Sequence, residues 1–286
     1  MVAAHAPSPP ISAASMIYNS GTSGAVWAIG GAIFKAKAWV EGVETEASTL
    51  RYVQKHFPSI PTPEIIYDWV DKRTARSFLV LRPAEGQTLQ QAWPVLSVPQ
   101  RQRIAAEVAG ICATLTAQTS DILATASGRY GIQDNYLMPE RPDDAPSWRP
   151  IPFPPLTAKQ AGVYIPSLMD TDALGAAFQF CHADLSPTNI MVSPTDGTVT
   201  SILDWESAAF YPRVWIATKA RVSYGFILED NVDDNVWAWT SVLLEALEKY
   251  NFYPNVQGFR ALKEKQKEAS VCKLAGDPPR WYYPTC

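Results

Sequence analysis

The sequence predicts an α+β fold with two unequal lobes, a small β-rich lobe over residues 16–84 and a larger α-rich lobe over residues 85–286. The contrast between the first third of the chain and the remainder supports this division. Apolar, β-prone runs separated by turn residues dominate the first third of the chain, whereas apolar residues at helical spacing dominate the remainder. The 286 residues are enough to bury a full core without staples. Residues 1–15 are rich in Ala, Pro and Ser and are expected to form a mobile tail.

The small lobe is predicted to contain strands around one helix. The first strand follows a turn-rich segment, residues 20–24. The helix carries apolar side chains at helical spacing and stops at Pro58, because proline cannot continue a helix. The elements predicted there are a strand over 26–34, a helix over 44–57, and strands over 64–70 and 77–81 joined by a turn at 71–73.

The larger lobe is predicted to be mainly helical. Seven prolines within residues 139–155 exclude regular structure there and indicate an ordered surface loop. Residues 157–160, Thr-Ala-Lys-Gln, have the pattern of a capping box that opens a helix. Two longer helices are predicted from apolar stripes, one starting at Pro99 with Ile104, Val108, Ile111 and Leu115, and one over 233–250 with Val236, Trp239, Leu243, Leu247 and Tyr250.

Composition excludes several classes of function. The formal charge of −4 and the absence of a basic run argue against a protein that binds nucleic acid. The longest apolar stretch, residues 25–34, is too short to span a bilayer, so no membrane association is predicted. Four scattered cysteines and three histidines do not form a zinc or disulfide pattern. We therefore expect a cytoplasmic protein in a reducing compartment, with no obligate protein partner evident.

Residues 178–206 hold the most informative cluster of polar side chains. A short apolar strand is predicted to end at His182, and Asp184 follows it in a loop. Two β-prone runs come next and flank the turn residues 196–197. If those residues form a two-residue hairpin turn, Asn189 pairs with Asp204 and both lie beside Asp184. Carboxylate and amide oxygens at one sheet edge predict a site for Mg²⁺.

The same residues carry a resemblance to a known family. The pattern H-x-D-x-x-x-x-N, followed fifteen residues after the Asn by an Asp in an I-L-D-W-E context, resembles the aminoglycoside phosphotransferase family, and most of all its fungal branch of small-molecule kinases. That family has a two-lobed protein-kinase-like fold. The resemblance implies that Asp184 is the catalytic residue, that Asn189 and Asp204 hold Mg²⁺, and that His182 supports the catalytic loop.

The resemblance extends into the small lobe, which it implies is the nucleotide-binding N-lobe. Lys35 resembles the lysine that neutralises the phosphates of ATP, although Lys37 lies two residues away on the same strand face. Glu46 matches the helix glutamate that holds such a lysine. Leu81 and Pro83 match the last strand and the hinge that bind adenine. Residues 20–24, in contrast, are not a recognisable glycine-rich loop.

The resemblance implies an enzyme, a kinase that moves the γ-phosphate of ATP to a hydroxyl of a small molecule with Mg²⁺ as cofactor. Two alternatives stay open. The first is a repurposed family member that binds or transforms a metabolite without ATP, and the second is an interaction protein that uses the loop at 139–155. A cationic amine acceptor would suit a cleft lined by aromatic and acidic side chains, unless the aromatic ones fill the core. The side chains in question are Trp215, Tyr224, Trp237, Trp239, Glu229, Asp230, Asp233 and Asp234.

Overall fold

The computed structural model describes residues 14–138, 146, 148–169, 178–229 and 235–274, with the backbone alone for 269–274. Several predictions from the sequence therefore lie outside the described residues. They are the tail up to residue 13, most of the first half of the proline-rich loop, and the acidic residues Asp230, Asp233 and Asp234.

The N-lobe contains a five-stranded antiparallel sheet and one helix, whereas the residue pattern predicts three strands and one helix. The strand order in the sheet is β1-β2-β3-β5-β4. β1 already includes residue 15, which was expected to belong to the tail. The elements are β1 (Ser15–Asn19), β2 (Gly24–Ile29), β3 (Ala32–Ala38), α1 (Glu46–His56), β4 (Ile65–Asp71) and β5 (Arg76–Leu81).

The single strand predicted over 26–34 is wrong, because the chain folds back on itself there. β2 and β3 form a hairpin in which Ile29 pairs with Ala32. The two residues between them, Gly30 and Gly31, have φ of 57° and 80°. A two-residue hairpin turn needs a positive φ at both positions, and glycine reaches that region at little cost. The apolar character of both strands hides the turn from a hydrophobicity pattern.

Helix α1 forms where the sequence predicts a helix and places an acidic side chain under the sheet. Thr45 caps its start by accepting a hydrogen bond from the backbone N–H of Ser48. Leu50 and Val53 are fully buried. α1 packs against the C-lobe segment Trp205–Ser207, so it joins the two lobes beside the predicted site.

The C-lobe is built mainly from helices, with short strands around the predicted catalytic segment. The described residues contain no helix that is both long enough and apolar enough to cross a membrane. Its elements are β6 (Gln87–Thr88), α2 (Leu89–Ala92), α3 (Val98–Leu115), β7 (Thr119–Ser120), β8 (Ile122–Leu123), β9 (Leu156–Thr157), α4 (Ala158–Tyr164), β10 (Phe178–Cys181), β11 (Ile190–Val192), β12 (Val199–Ile202), β13 (Ala209–Tyr211), α5 (Trp215–Val222), α6 (Ala238–Glu248) and α7 (Val256–Leu274).

The predicted C-lobe helices are confirmed, although the helix predicted over 233–250 is shorter than expected. Thr157 and Gln160 make the reciprocal hydrogen bonds of a capping box at the start of α4. In α3 the predicted stripe faces the core, with Ile104 and Val108 fully buried. The helix expected over 233–250 is described as α6, from Ala238 to Glu248. The two-lobed α+β fold predicted from the sequence is therefore the fold observed.

The connection between the lobes is fixed by a close backbone approach at its C-terminal end. Gly86 has a φ of +93°, and a Cβ atom at this position would lie 2.3 Å from the carbonyl oxygen of Val192. Only glycine fits such a contact. β6, which follows directly, pairs with β11, so the connection is anchored to the strand that follows the predicted catalytic loop.

Candidate active site

Lys35 lies between the lobes and contacts a carboxylate from each of them. Its Nζ is 2.5 Å from Oε2 of Glu46 on α1 and 2.7 Å from Oδ1 of Asp204, which follows β12. The lysine side chain is 12% exposed. The structure thus brings together three residues that the sequence separates by up to 169 positions.

The charges in this cluster shift one another's pKa values. Burial alone would lower the pKa of Lys35, but the carboxylates of Asp204 and Glu46 outweigh it and hold that pKa above its ordinary value. Burial would likewise raise the pKa of Asp204, and the ammonium groups of Lys35 and Lys37 overcome it and lower that pKa. Burial raises the pKa of Glu46, against the opposing effect of Lys35. Lys35 is therefore a permanent cation at the base of the cleft.

A second ion pair crosses between the lobes next to the first. Lys37, on the same face of β3 as Lys35, donates a hydrogen bond to Oε2 of Glu206. Burial alone would lower the pKa of Lys37, but the carboxylates of Glu206 and Asp204 raise it above its usual value. Glu206 lies in the short helical turn Trp205–Ser207, so two successive inward positions of β3 are each paired with the C-lobe.

Asp184 is held in the loop after β10 by Asn189. The side-chain Nδ2 of Asn189 donates to both the backbone oxygen and Oδ2 of Asp184, at 3.1 Å each. Ala183, just before Asp184, has a positive φ of 53°, which turns the chain sharply. Burial, followed by the nearby Asp204 carboxylate, raises the pKa of Asp184 to about 6. A carboxylate with that pKa can accept a proton near neutral pH.

His182 is buried behind the catalytic loop and hydrogen-bonds its backbone. Its Nε2 lies 2.8 Å from the carbonyl oxygen of Leu203, and its Nδ1 accepts a hydrogen bond from the backbone N–H of Asp184 at 3.3 Å. The ring packs edge-on against Trp205, with centroids 4.6 Å apart. Burial lowers the pKa of His182 to about 4. The neutral ring with its proton on Nε2 satisfies both contacts, and it ties Asp184 to the segment that precedes Asp204.

The hairpin register predicted from the sequence is wrong by one residue. Asn189 accepts a hydrogen bond from the backbone N–H of Leu203 and does not pair with Asp204. The turn is looser than two residues, since Gly197 N–H donates to the carbonyl of Ser193. The pairing register also shifts between Met191 and Val192, where β12 has one extra residue, Thr200. Asp204 is instead directed by its own left-handed backbone, with φ 60° and ψ 59°. This turn points the Asp204 carboxylate toward Lys35, and the charge of Asp204 still acts on Asp184 by raising its pKa.

The predicted adenine-binding residues lie at the end of the N-lobe sheet. Leu81 ends β5 and is 5% exposed. Pro83 is exposed in the connection between the lobes. Because proline has no N–H group, Pro83 can offer only its carbonyl oxygen to the edge of a base.

The donor atoms in the cleft fit a hard divalent cation. Oxygen atoms of Glu46, Asp204 and Glu206 all lie within 4.8 Å of one another. Asn189 uses its amide nitrogen on Asp184, so its carbonyl oxygen is the atom left to face a cation. Carboxylate and amide oxygens are the ligands that Mg²⁺ prefers. Asn189 and Asp204, predicted from the sequence as the metal ligands, fit this chemistry.

Two of the four aromatic residues expected to line an acceptor cleft belong to the core. Trp215 and Trp239 are fully buried. The indole N–H of Trp239 donates to the backbone oxygen of Leu185, which supports the catalytic loop from below. Tyr224, by contrast, is 76% exposed, and it precedes Gly225, where an added Cβ would lie 3.9 Å from Oδ1 of Asp184. The segment at 224–226 therefore borders Asp184, and it has little in common with the tryptophan-lined cleft that was expected.

Sequence reasoning missed a buried ion pair near Asp184. Nζ of Lys219 on α5 lies 2.7 Å from Oδ2 of Asp134, and their side chains are 9% and 0% exposed. Trp215 Nε1 also donates to this carboxylate, at 3.0 Å. Both charges act on Asp184, Lys219 lowering its pKa and Asp134 raising it. No local motif could reveal the pair, because its members are 85 residues apart.

Comparison with known proteins agrees with this geometry. The sequence profile of the "Phosphotransferase enzyme family" (APH) matches residues 19–251. Among solved structures, an aminoglycoside-3'-phosphotransferase of type VIII superposes with a TM-score of 0.52 at 16% identity, covering 88% of this chain and 93% of that one. Aminoglycoside phosphotransferase APH(4)-Ia superposes with a TM-score of 0.51 at 17% identity, covering 93% of this chain and 88% of that one.

A thermostable mutant of APH(4)-Ia, solved in ternary complex with AMP-PNP and hygromycin B, gives a TM-score of 0.52 at 17% identity, with coverage of 93% and 89%. These superpositions establish the protein-kinase-like fold. No curated protein sequence matches the chain.

Proposed function

The chain belongs to the phosphotransferase enzyme family, and from that premise we propose that it transfers the γ-phosphate of ATP, with Mg²⁺, to a hydroxyl group of a small-molecule acceptor. The observation that carries the proposal is the position of Lys35 between Glu46 and Asp204. A buried, permanently charged lysine that links the two lobes at the metal-binding carboxylate is the arrangement that phosphoryl transfer requires.

Each residue of the cleft has a separate role in the proposed reaction. Lys35 places positive charge where the α- and β-phosphates would lie, and Glu46 fixes its position. Asp184 orients the acceptor hydroxyl and takes its proton during in-line attack. Asn189 restricts the Asp184 carboxylate to one rotamer by a hydrogen bond to Oδ2. Positioning and charge neutralisation account for most of the rate in such reactions.

Asn189 and Asp204 would hold Mg²⁺ in this proposal. The ion, when bound, neutralises charge on the phosphate oxygens of the nucleotide. Asp204 would then be shared between the cation and Lys35, which it contacts in this structure. Glu46 would keep Lys35 in position for the phosphates.

We propose that the acceptor binds beside Gly225, where the absence of a side chain leaves Oδ1 of Asp184 uncovered, 3.9 Å from the position of a Cβ atom. The burial of Trp215 and Trp239 excludes these two side chains from an acceptor cleft, whereas Tyr224 stays exposed next to Gly225. The proposed acceptor class is therefore a small alcohol, with amino alcohols and neutral polyols as the two groups to compare. The cytoplasm, which supplies ATP, is the location we propose, and assignment to the fungal branch rests on the sequence motifs alone.

Thermal unfolding with and without Mg-ATP tests the nucleotide part of the proposal. A ligand at one hundred times its Kd stabilises the folded state by about 2.7 kcal/mol, so the wild type should melt at a clearly higher temperature. Asp204→Ala should lose this shift, whereas Asp121→Ala, an exposed carboxylate between β7 and β8, should keep it. The absence of a shift for the wild type at millimolar Mg-ATP would refute the proposal.

Phosphate transfer to the acceptor panel tests the catalytic part. Asp184→Asn should keep the Mg-ATP shift and reduce transfer by about 10²- to 10⁴-fold, the usual contribution of a general base. Turnover of an acceptor in EDTA without nucleotide would instead support the repurposed family member. This second candidate is tested because residues 20–24 do not have the pattern of a glycine-rich phosphate-binding loop.

A further inference from the structure

We propose that Lys37 is a second phosphate-binding residue of the nucleotide site, and that Glu206 holds its side chain in the cleft until a nucleotide replaces the carboxylate. The inference rests on the proposed function and assigns a role in it that the motif does not. It begins from the turn between β1 and β2, where a kinase-like fold would place its phosphate-binding loop.

The turn at residues 20–23 has few backbone amides left to bind phosphate. The N–H of Ser20 donates to the carbonyl of Gly24, and the N–H of Ser23 donates to the carbonyl of Ser20. The N–H of Gly21 donates to Oδ1 of Asn19. Glycine-rich loops bind phosphate through free amides that point at the ligand. Because these three amides are used inside the turn, charge for the phosphates must come from elsewhere.

Lys37 supplies a cation directly beside this turn. It pairs with Gly24 across β2 and β3. A Cβ atom at Gly24 would lie 3.3 Å from Cγ and 3.5 Å from Cε of Lys37. The absence of a side chain at Gly24 thus leaves room for the lysine stem, which runs past the end of the turn toward the cleft.

Lys37 is also more accessible than Lys35. Its side chain is 34% exposed, against 12% for Lys35. Lys35 is held by carboxylates on two sides, whereas Lys37 donates to Glu206 from the opposite lobe. A phosphate oxygen can take the place of the Glu206 carboxylate, because both are anionic acceptors for the same ammonium group.

Titration calorimetry with adenosine, ADP and ATP tests the role of Lys37. Lys37→Met should weaken ADP and ATP about 10- to 100-fold, as expected for the loss of a charged hydrogen bond, and leave adenosine unchanged. Lys37→Arg, which keeps the charge, should recover most of this loss. The matched control is Lys72→Met, at an exposed lysine in the β4–β5 turn, and it should bind all three ligands like the wild type.

Glu206→Gln distinguishes phosphate binding from a purely structural ion pair. Measured in EDTA, so that metal coordination does not enter, it should bind ATP more tightly than the wild type because Lys37 loses its competing anion. A purely structural role for the ion pair predicts that Lys37→Met and Glu206→Gln weaken ATP binding by similar factors. That result would overturn the proposal.

Wild-type binding separates this proposal from the proposed function. If the wild type binds Mg-ATP and Lys37→Met binds it equally well, Lys37 has no such role and the proposed function stands. If the wild type binds no nucleotide, the proposed function itself is wrong and this inference is wrong with it.

Discussion

The buried ion pair between Lys219 and Asp134 makes a sharp prediction about stability. Replacing Lys219 by Met removes the cation and leaves the Asp134 carboxylate buried, with neutral donors from Trp215 Nε1 and the backbone N–H of Tyr136. The carboxylate is fully enclosed, at 0% exposure, so water cannot replace the lysine. Breaking a buried pair in this way costs about 3–5 kcal/mol.

The loss of stability in Lys219→Met can be measured by urea unfolding. With an m-value of about 3 kcal/mol/M for a chain of this size, a loss of 3 kcal/mol lowers the midpoint by about 1 M. The double variant Lys219→Met with Asp134→Asn removes both charges and keeps a neutral side chain for Trp215 to contact. Replacing both members of a buried pair is often close to neutral, so the double variant should recover most of the lost stability.

The control is Lys72→Met, which removes a lysine whose partner Glu41 is 3.7 Å away and largely exposed. Its midpoint should stay close to that of the wild type, since exposed pairs contribute little. A shift of Lys219→Met as small as that of the control would refute the reasoning. A double variant no more stable than the single one would also do so, because the cost would then come from packing and not from an unpaired charge.

Two further predictions concern the catalytic loop and the acceptor side. The buried imidazole of His182 has its pKa lowered from 6.5 to about 4, so the unfolded chain takes up a proton that the folded chain refuses, and stability is lost as the pH falls from 6.5 to about 4. The stability advantage of the wild type over His182→Gln, measured by denaturant unfolding, should therefore shrink by up to about 3 kcal/mol between pH 7 and pH 4; a difference independent of pH would contradict this. Gly225→Val should reduce kcat/KM for the acceptor roughly 100-fold by displacing the hydroxyl from Asp184, with Mg-ATP affinity unchanged, whereas Gly225→Ala adds a methyl group at ordinary contact distances and should keep most of the activity. A loss of nucleotide affinity in Gly225→Val would place this glycine outside the acceptor site.

The sequence anticipated the members of the cleft because their identities and spacings are local. The loop carrying Asp184 and Asn189 is six residues long from one to the other, and its hydrogen bonds form within that span. Lys35 on a strand and Glu46 at a helix start were identified in the same way. Each prediction needed only a short pattern and a resemblance to a family in which that pattern is recurrent.

Patterns failed where the chain's path depends on backbone geometry. Hydrophobicity could not reveal the turn at residues 30–31, because both strands of that hairpin are apolar. The register of the hairpin after Asn189 depended on a bulge and a wider turn, which counting from Asp196 and Gly197 could not anticipate. Trp215 and Trp239 could equally have lined a cleft or filled the core, and only their burial decided it.

The sequence by itself determined the α+β division, the helices with clear apolar stripes and the identity of the groups that do the proposed chemistry. The tertiary structure alone decided which of those groups touch. It placed Lys35 against carboxylates from both lobes, paired Lys37 with Glu206, and enclosed Lys219 with Asp134. Apart from the contact between Lys35 and Glu46, these contacts join residues 85 to 169 positions apart, and their energy depends on burial. Charge pairing and desolvation are properties of the packed interior, so they cannot be read from the order of residues.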